Sequence, residues 1–492
     1  MKLSRIGIGL VLAALGMFAF ASTPSAGTDT SPFVSASWWQ KANTLINATT
    51  LPPCGTSQGN YSDGGNVDMS NEATPQSETS IAINPSNTSQ IVGGSNEIFC
   101  LPMRGYFSSS DGASGSWGAV DLPLPAPLSP NGQEFGSDPG VAFDTLGNVY
   151  YSYIVVFWNP HFHNVTGSEM AVARSSDGGR SWTGNFFNLN AGNGKFNDKP
   201  MITVDTNPSS PHFNTVYVAW DNASQRNGKS SANDDILVSS STDHGVTFSN
   251  PVQASRVPGP SGVIGADPFV APDGTLYVAW QDGQNPAIRV SSSTDGGQSF
   301  GPPHLIANTL GDFQVLPPAQ ALRGALIYPS CGAAPTGGRL YCSWSDATAS
   351  DGMRVFVSHS DDGGVTWSAA ARVSNPAIVS DQFNQWLAVD SSNGNVVLSW
   401  NDSRNDATRK STDVFMAESK NGGATFSTRQ VTTAPTDETV SGADLGNQYG
   451  DYEFIAALNG EVHPVWTDRR ARSDASLQAA LGEEVFTATV KE

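Results

Sequence analysis

Carboxylates and a few aromatic residues recur at the ends of predicted β-strands, and these side chains could do chemistry. Four aspartates stand just before strands that open a repeated unit, and five stand after its second strand: Asp138, Asp198, Asp267 and Asp451, then Asp221, Asp282, Asp346, Asp402 and Asp468. Connections in an antiparallel sheet alternate between its two ends, so both sets are expected at one end. With Gln385, Tyr449 and Tyr452 they would form an acidic, partly aromatic mouth.

Three kinds of chemistry suit such a mouth. Paired carboxylates can act as acid and base or nucleophile in glycoside hydrolysis, where the outcome depends on a separation of about 5 to 9.5 Å. Oxygen-rich loops can instead bind Ca²⁺. Aspartates at strand ends also cap turns by accepting backbone N–H bonds, which is their commonest use. The residue pattern leaves these three interpretations open.

The elements that position these side chains come from a repeated turn. The pattern Ser-x-Asp-x-Gly-x-x-(Trp/Phe) begins at Ser175, Ser241, Ser293 and Ser360. A fifth copy at Ser419 replaces the aspartate by asparagine, and a sixth at Ser109 carries one extra residue. The Asp or Asn positions 111, 177, 243, 295, 362 and 421 recur at the interval of a four-stranded blade. A short carboxylate can accept N–H bonds across a tight bend and glycine supplies positive φ, which predicts a structural role for the repeat.

A β-rich run that ends in Trp and an acidic residue precedes each turn. The repeated unit is therefore predicted to contain four strands, with a turn after the first, a loop after the second and the turn motif after the third. First strands are predicted near Ile81, Val141, Ile202, Phe269, Leu326, Leu387 and Phe454. The chain is therefore predicted to be all-β, a β-propeller of four-stranded antiparallel blades, with seven blades favoured and six as the alternative. The seventh unit lacks an outer strand, and a segment within Gly65 to Ser70 is predicted to supply it and close the ring.

The repeated turns resemble the Asp boxes, or BNR repeats, of the sialidase superfamily, over about residues 76–492. The resemblance implies a propeller that acts on or binds glycans. Sialidases hold the substrate carboxylate with three arginines, the first in a Phe/Tyr-Arg-Ile-Pro motif, and this sequence has no such motif after its first 21 residues. Arg226, Arg404 and Arg469 follow second strands and could reach the mouth.

The sialidase nucleophile is a tyrosine assisted by a glutamate, with an aspartate as acid/base. The resemblance therefore implies that Tyr452 or Tyr449, beside Glu453 and Asp451, takes the first two roles and Asp138 the third. Asp198, Asp267, Gln385, Arg404 and Arg469 are the candidate ligand-binding residues. No cofactor is expected, with Ca²⁺ as the alternative.

The start of the chain predicts the compartment. Lys2 and Arg5 precede an apolar run from Ile6 to Phe20, which is typical of a secretory signal peptide over residues 1–21. Residues 22–75 form an N-terminal extension, and no later run is apolar enough to span a membrane. In a secreted or periplasmic protein, the four cysteines predict two local disulfides, Cys331 with Cys342 and Cys54 with Cys100.

Charge narrows the choice of partners. Acidic residues outnumber Lys and Arg by 45 to 25, and the net charge of −20 repels phosphate backbones, which disfavours nucleic acid. The sequence predicts a secreted propeller that binds glycans or another extracellular ligand at its acidic mouth. A glycoside hydrolase is the alternative, and the missing arginine motif favours binding.

Overall fold

The fold comes from a computed structural model. The structure describes residues 38, 41–42, 45, 61–70, 72, 74–108, 116–159, 164–226, 229–230, 234–256, 262–311, 313–349, 352–375, 377–440, 443–470 and 482–492, without the side chains of 224–226 and 229–230. The predicted signal peptide, residues 1–21, lies outside this part of the chain. Within it, no helix is both long and apolar enough to cross a membrane.

Seven antiparallel sheets of four main strands stand around a central axis, so the predicted β-propeller with seven blades is confirmed. Each inner strand contacts the inner strands of the neighbouring blades. In chain order the inner strands of blades 1 to 7 are Gln76–Ile83, Gln133–Phe143, Lys195–Val204, Val263–Val270, Pro329–Ala333, Gln382–Val389 and Ile455–Leu458.

The other strands follow from the axis outward. The second strands of blades 1 to 7 are Ile91–Glu97, Val149–Asn159, Val216–Arg226, Leu276–Asp282, Leu340–Ala347, Val396–Asp402 and Glu461–Asp468. The third strands are Arg104–Ser108, Asn164–Ser175, Asp235–Ser241, Ala287–Ser293, Met353–Ser360, Asp413–Ser419 and Glu484–Ala488. The outer strands are Trp117–Asp121, Thr183–Ala191, Val252–Gln253, His304–Asn308, Ala371–Arg372, Ser427–Gln430 and Asn66–Asp68. Short additional strands are Tyr61–Asp63, Lys229–Ser230, Gln314–Val315, Ala325–Leu326 and Val490–Lys491.

The core lies between adjacent blades. Second strands are β-branched and aromatic, and buried on both faces, because each blade packs against two neighbours. The tryptophans near their ends are among the largest fully buried side chains: Trp220, Trp280, Trp344, Trp400 and Trp466.

The N-terminal region closes the ring, as predicted. Strand Asn66–Asp68 pairs antiparallel with Glu484–Ala488, with Val67 opposite Thr487. The last blade thus combines strands from both ends of the propeller, and its outer edge is covered rather than exposed.

The repeated turns connect third to outer strands. In the first complete copy, Asp177 Oδ1 accepts the N–H groups of Arg180 and Ser181 at 3.0 and 2.9 Å, and Oδ2 accepts the Ser181 hydroxyl at 2.6 Å. Gly178 and Gly179 have positive φ. The ring of Trp182 packs edge-on against Tyr151. These contacts support the structural role predicted for the turns.

Blade 5 differs from the sequence prediction in its first strand. Leu326 belongs to a short hairpin, in which Ala325–Leu326 pairs with Gln314–Val315, and the inner strand begins only at Pro329. Residues 313–328 form an insertion between blades 4 and 5, with a 3-10 turn at Pro318–Gln320 that Pro317 and Pro318 start. The predicted position of this strand is therefore wrong by a few residues.

The Cys331–Cys342 disulfide is present and joins paired residues of the first two strands of blade 5, whose Cα atoms lie 4.1 Å apart. Cys100 is also disulfide-bonded. Its predicted partner, Cys54, lies outside the described residues. Disulfides are compatible with the predicted extracellular location.

Candidate functional site

β-bulges near the start of the inner strands build the site. Blades 1, 2, 3, 4 and 6 each shift register at the same level, so that two residues of the inner strand have no partner in the second strand. The first residue of each pair is left-handed: Glu78, Asp138, Lys199, Gly265 and Asn384, with φ of 54°, 63°, 48°, 72° and 51°. In blades 5 and 7, Tyr328 and Tyr452 hold the corresponding position. We call these seven residues the bulge ring.

The ring is unusual because most of its left-handed members are not glycine. A side chain in this conformation is strained, and such residues are concentrated at functional sites. Glu78, Asp138, Lys199 and Asn384 are also buried. Burial of charge and strain of the backbone therefore occur together at one end of the axis.

A charge cluster connects the ring to two loops. Lys199 and Arg323 both form ion pairs with Asp451, and both cationic groups lie 3.9 Å from Oε1 of Glu78. Asn96 donates to Oε2 of Glu78 at 2.6 Å, and the N–H of Asp451 donates to Oε1 at 3.2 Å. Two cations thus stand among several carboxyl groups, away from water.

Asp138 lies beside this cluster. Its Oδ1 accepts the Ser137 hydroxyl at 2.9 Å, and its Oδ2 accepts the N–H of Lys199 at 3.3 Å. Burial would raise the pKa of Asp138, but the charge of Lys199 and hydrogen bonding, including that from the Ser137 hydroxyl, lower it below the ordinary value. Asp138 is therefore ionised.

The neighbouring acids behave oppositely. Burial raises the pKa of Glu78 well above its usual range, opposed by Lys199 and reinforced by Asp451 and Asp138. Burial also raises the pKa of Asp198, and the negative charge of Asp138 raises it further. Although burial works against the ammonium, Asp451 and the other acids raise the pKa of Lys199. The cluster therefore combines carboxyl groups whose pKa values are shifted in opposite directions around a buried cation.

The insertion of blade 5 covers the cluster. Arg323 extends from it, and its backbone N–H donates to Oε1 of Gln448 at 3.0 Å. Gln320 donates to the carbonyl of Gly450 at 2.6 Å, which fixes the insertion to the loop that carries Asp451. Glu78, Lys199 and Asp451 are accordingly buried.

Lys41 from the N-terminal extension is buried at the same end. Its Nζ donates to the carbonyl of Gly136 at 2.8 Å and lies 5.5 Å from the centre of the Phe135 ring. Burial lowers its pKa to about 7, opposed by Glu97 and Asp138. The extension therefore brings a titratable amine next to the ring.

The structure brings three of the predicted aspartates together and separates the fourth. Asp138, Asp198 and Asp451 meet in the charge cluster. Asp267 lies two residues beyond the ring position of its strand, which Gly265 occupies, and its Oδ2 accepts the N–H of Cys331 at 2.6 Å. Its predicted place among the mouth carboxylates is therefore corrected, because the bulge shifts the register.

Tyr452 and Glu453 have different polar partners. The Tyr452 hydroxyl donates to the carbonyl of Pro139 at 3.3 Å. Glu453 accepts from the Asn401 side chain at 2.6 Å and from the N–H of Thr467 at 2.9 Å. Burial raises the pKa of both groups well above the ordinary values. Their side chains are therefore not joined in the predicted pair of nucleophile and helper.

The predicted arginines stabilise blades or loops. Arg404 pairs with Asp402 and lies 3.8 Å from the centre of the Phe415 ring. Asp402 also accepts the Trp400 indole N–H at 2.9 Å. The N–H of Arg469 donates to the Thr436 hydroxyl at 2.7 Å. The side chain of Arg226 lies outside the described part of the chain.

The remaining candidates make backbone contacts. Gln385 donates to the carbonyl of Tyr328 at 2.9 Å, and Asp221 accepts the N–H of Gly265 at 3.0 Å. Tyr449 lies in the core, where its hydroxyl contacts Thr412 and Thr436. Among the described residues, no group of three or more His, Cys, Asp or Glu side chains is arranged to hold a metal ion.

Sequence reasoning missed Glu78, Lys199 and Arg323. Lys199 follows Asp198 directly, and two adjacent residues of opposite charge are typical of a solvated surface pair. Glu78 stands in a Ser/Thr-rich run, and Arg323 lies in an insertion without a repeat pattern. Only the juxtaposition of distant strands identifies them.

No protein-family description and no curated protein matches the chain. Solved structures that match include an unknown function protein from Dyadobacter fermentans, with 14% identity, TM-score 0.47, and coverage of 74% of this chain and 100% of that one. An intramolecular trans-sialidase from Ruminococcus gnavus in complex with oseltamivir carboxylate has 12% identity, TM-score 0.43, and coverage of 68% and 91%. An alpha-L-arabinofuranosidase from Fusarium graminearum in complex with an iminosugar inhibitor has 14% identity, TM-score 0.45, and coverage of 70% and 92%. Sialidases are thus among the solved structures that match.

Proposed function

We propose that this chain is a secreted, sialidase-like propeller that binds a glycan or another polar extracellular ligand at the bulge-ring end of its axis. One observation carries the proposal: Glu78, Asp138 and Lys199 are charged or titratable, left-handed and buried at equivalent positions of three blades. Each left-handed non-glycine residue costs about 1–3 kcal/mol, and buried ionic groups are often replaceable by apolar ones without loss of stability. A purely structural ring would not need these residues.

The chemistry of the cluster suits a polyhydroxylated ligand. Carboxylates accept hydrogen bonds from hydroxyl groups, and the cationic groups of Lys199 and Arg323 donate to them. The Tyr328 hydroxyl is buried and has no hydrogen-bond partner among the described residues. Ligand oxygens would satisfy that hydroxyl, while the faces of Tyr328 and Tyr452 offer flat apolar surfaces to a sugar ring.

Binding within the cluster requires an exchange of partners. Arg323 closes the site through its ion pair with Asp451, so a ligand that enters must take over this contact or bind above it. Because the unbound network already holds the carboxylates in place, the ligand meets ordered groups.

Glycan binding tests the proposal directly. Wild-type protein would be applied to a glycan array, and its best ligand measured by titration calorimetry against Glu78→Gln, Asp138→Asn and Asp451→Asn. These variants keep side-chain shape and replace one carboxyl oxygen by an amide NH2 group, and we expect at least about tenfold weaker binding, or about 1.4 kcal/mol. Asp361→Asn, at an exposed acid in a repeated turn, is the matched control and should bind normally. Full affinity in all three cluster variants would contradict the proposal.

A glycoside hydrolase is the second candidate, supported by the opposite pKa shifts of Glu78 and Asp138. Protonated Glu78 would give its proton to the leaving glycosidic oxygen while ionised Asp138 takes one from the attacking water, as the C–O bond breaks. Their carboxyl groups interact directly, closer than the roughly 6.5–9.5 Å that leaves room for the attacking water, so a substrate would have to separate them. Binding therefore stands first. Release of nitrophenol from a panel of aryl glycosides, including a sialoside, that Asp138→Asn abolishes would favour the hydrolase.

A further inference from the structure

The axis is hollow on the other side of the bulge ring. A cavity of about 300 Å³ lies between the inner strands and is lined by residues that include Val141, Met201 and Trp386. It continues into a wider space of about 570 Å³ at the ends of the inner strands, with Phe269 and Leu458 lining both. The cavity opens at the end that carries the repeated turns, opposite the charge cluster.

Most side chains that line the inner cavity are apolar, and several are aromatic. Trp386 and Phe454 stack with their ring centres 3.8 Å apart. Asp267 is the one ionisable side chain among the described residues of the inner cavity, and Asp205 is its counterpart in the outer space. No Lys, Arg or His lines either space among the described residues. The inner cavity thus combines apolar and aromatic side chains, polar wall groups and a single carboxyl group.

Asp267 has an unused oxygen directed at this space. The residue is 7% exposed and lines the cavity. Its Oδ2 accepts the N–H of Cys331, which the disulfide to Cys342 holds in place. Its Oδ1 has no hydrogen-bond partner among the described residues. This oxygen is free to accept a hydrogen bond from a group inside the cavity.

Serines at the equivalent positions of two other blades show that the structure does not need a carboxyl group here. Ser80 in blade 1 accepts the N–H of Val141 at 3.0 Å, and Ser330 in blade 5 accepts the N–H of Leu387 at 2.9 Å. Each is the same link from an inner strand to the next blade that Asp267 makes to Cys331. A hydroxyl therefore suffices for the link, and the second carboxyl oxygen is surplus to it.

We propose that the axial cavity binds a small organic cation with an apolar, aromatic body, whose ammonium group pairs with Asp267 and whose body packs against Trp386, Phe454 and Phe269. An anionic ligand would find no basic partner among the described wall residues. A cation is attracted by the net charge of −20 and by aromatic faces. This site is separate from the charge cluster and does not depend on the proposed glycan binding.

Because Asp267 is titratable, the affinity of the cavity for the cation should depend on pH. Burial raises its pKa to about 8, opposed by the N–H of Cys331. Asp205 is the other titratable side chain among the described wall residues. At pH 6 the empty site is protonated, and an ammonium must displace that proton to bind. Affinity for the cation should therefore rise about tenfold per pH unit from pH 6 and level off above about pH 8.

Three probes of one shape separate the charge states: 2-phenylethylamine as the cation, 2-phenylethanol as the neutral form and 3-phenylpropionate as the anion. Titration calorimetry on the full chain should give at least about tenfold tighter binding of the amine than of the alcohol at pH 8. Asp267→Ser, which keeps the structural link, should remove this preference. Ala388→Phe, which fills the cavity from its wall, should remove binding of both.

Melting temperatures show whether the variants fold, and Asp361→Asn serves as a charge-matched control that should bind the amine normally. If Asp267→Ser does not fold, Asp267→Asn replaces it, since it keeps the shape and one acceptor oxygen. Absence of amine binding by the wild type at millimolar concentration would overturn the proposal. So would an amine affinity that Asp267→Ser or Ala388→Phe leaves unchanged.

Discussion

The ammonium nitrogen of Lys199 lies 3.9 Å from Oε1 of Glu78, although the two residues belong to the inner strands of blades 3 and 1. The same nitrogen pairs with Asp451 next to blade 7 and lies 5.7 and 5.9 Å from the ring centres of Tyr328 and Tyr452. One side chain thus contacts residues of three other blades, or of the loops next to them: blades 1, 5 and 7. Because it crosses the axis, Lys199 connects blades that do not pack directly on one another.

Lys199→Met should lower stability strongly. It removes the cation and leaves Asp451 and Glu78 without this partner in a buried site, which typically costs about 3–5 kcal/mol. Urea unfolding would measure the change. Lys195→Met in the same strand is the control, because Lys195 forms a half-exposed pair with Asp235 at 3.7 Å and such pairs contribute about 0–1 kcal/mol. Equal losses in the two variants would contradict the role of Lys199.

The unfolding free energy should rise as the pH falls from 8 to about 5. Glu78, Asp198 and Glu453 have raised pKa values in the folded protein, so between their unfolded and folded values the native state binds protons that the unfolded chain lacks, and stability falls as pH rises. Urea midpoints at pH 5, 6, 7 and 8 would test this. Glu78→Gln and Asp198→Asn should flatten the slope, whereas a midpoint that increases with pH would show the opposite sign.

Below about pH 5 the repeated turns should make the unfolding free energy fall as the pH falls. Side-chain hydrogen bonds lower the pKa of Asp295 to about 2, although burial works slightly against this. Burial works to raise the pKa of Asp243, but hydrogen bonds from the hydroxyl and N–H of Thr247 together lower it to about 2. The stability from these exposed groups is present above about pH 4 and lost as the pH falls toward 2. We therefore expect a stability maximum on the acid side of neutrality.

The structural role of the repeated turns gives a third prediction. Asp177→Ala removes the acceptor for two N–H groups and two hydroxyls, and Asp295→Ala removes the acceptor for one N–H group and two hydroxyls in blade 4. Each should lower stability by about 1–2 kcal/mol, as for a lost cap. Asn421→Asp is the control, because Asn421 already accepts the N–H of Thr425 at 3.0 Å. An unchanged melting temperature with lost ligand binding would contradict the structural assignment.

The features predictable from the sequence were those that repeat locally. Seven strand-and-turn units are visible along the chain, and the missing outer strand of the last unit implied the strand that Asn66–Asp68 supplies. Cys331 and Cys342 are near in sequence and lie opposite each other in neighbouring strands. Each of these features depends on a pattern that is visible in the sequence: the repeat of the unit, the strand missing from its last copy, or the short spacing of two cysteines.

The site was only partly predictable because it depends on register. Three of the predicted aspartates stand near the start of an inner strand but at different places relative to its bulge. Asp198 precedes the bulge, Asp138 lies within it and Asp267 follows it. A shift of one or two residues changes which way a side chain points. Arg323 comes from an insertion that no repeat predicts, and its contact with Asp451 joins residues far apart in sequence.

Backbone strain in the bulge ring gives the last prediction. Asn384 has a φ of 51°, and Gly265 has a φ of 72° at the equivalent place in blade 4, so glycine is compatible with this position. Asn384→Gly should leave stability within about 0.5 kcal/mol, whereas Asn384→Ala should cost about 1 kcal/mol more because alanine is strained in the left-handed region.

The reciprocal change at Gly265 completes the test, since strain and space act together there. A Cβ atom at Gly265 would lie 2.3 Å from Cδ1 of Tyr328, which no side chain tolerates without displacement. Gly265→Ala should therefore be more destabilising than Asn384→Ala, and it should also move the ring of Tyr328 that faces Lys199. Urea unfolding would rank the three variants. If Asn384→Ala and Asn384→Gly unfold at the same urea concentration, the left-handed residues of the ring are not strained, and the strain argument for a functional site here fails.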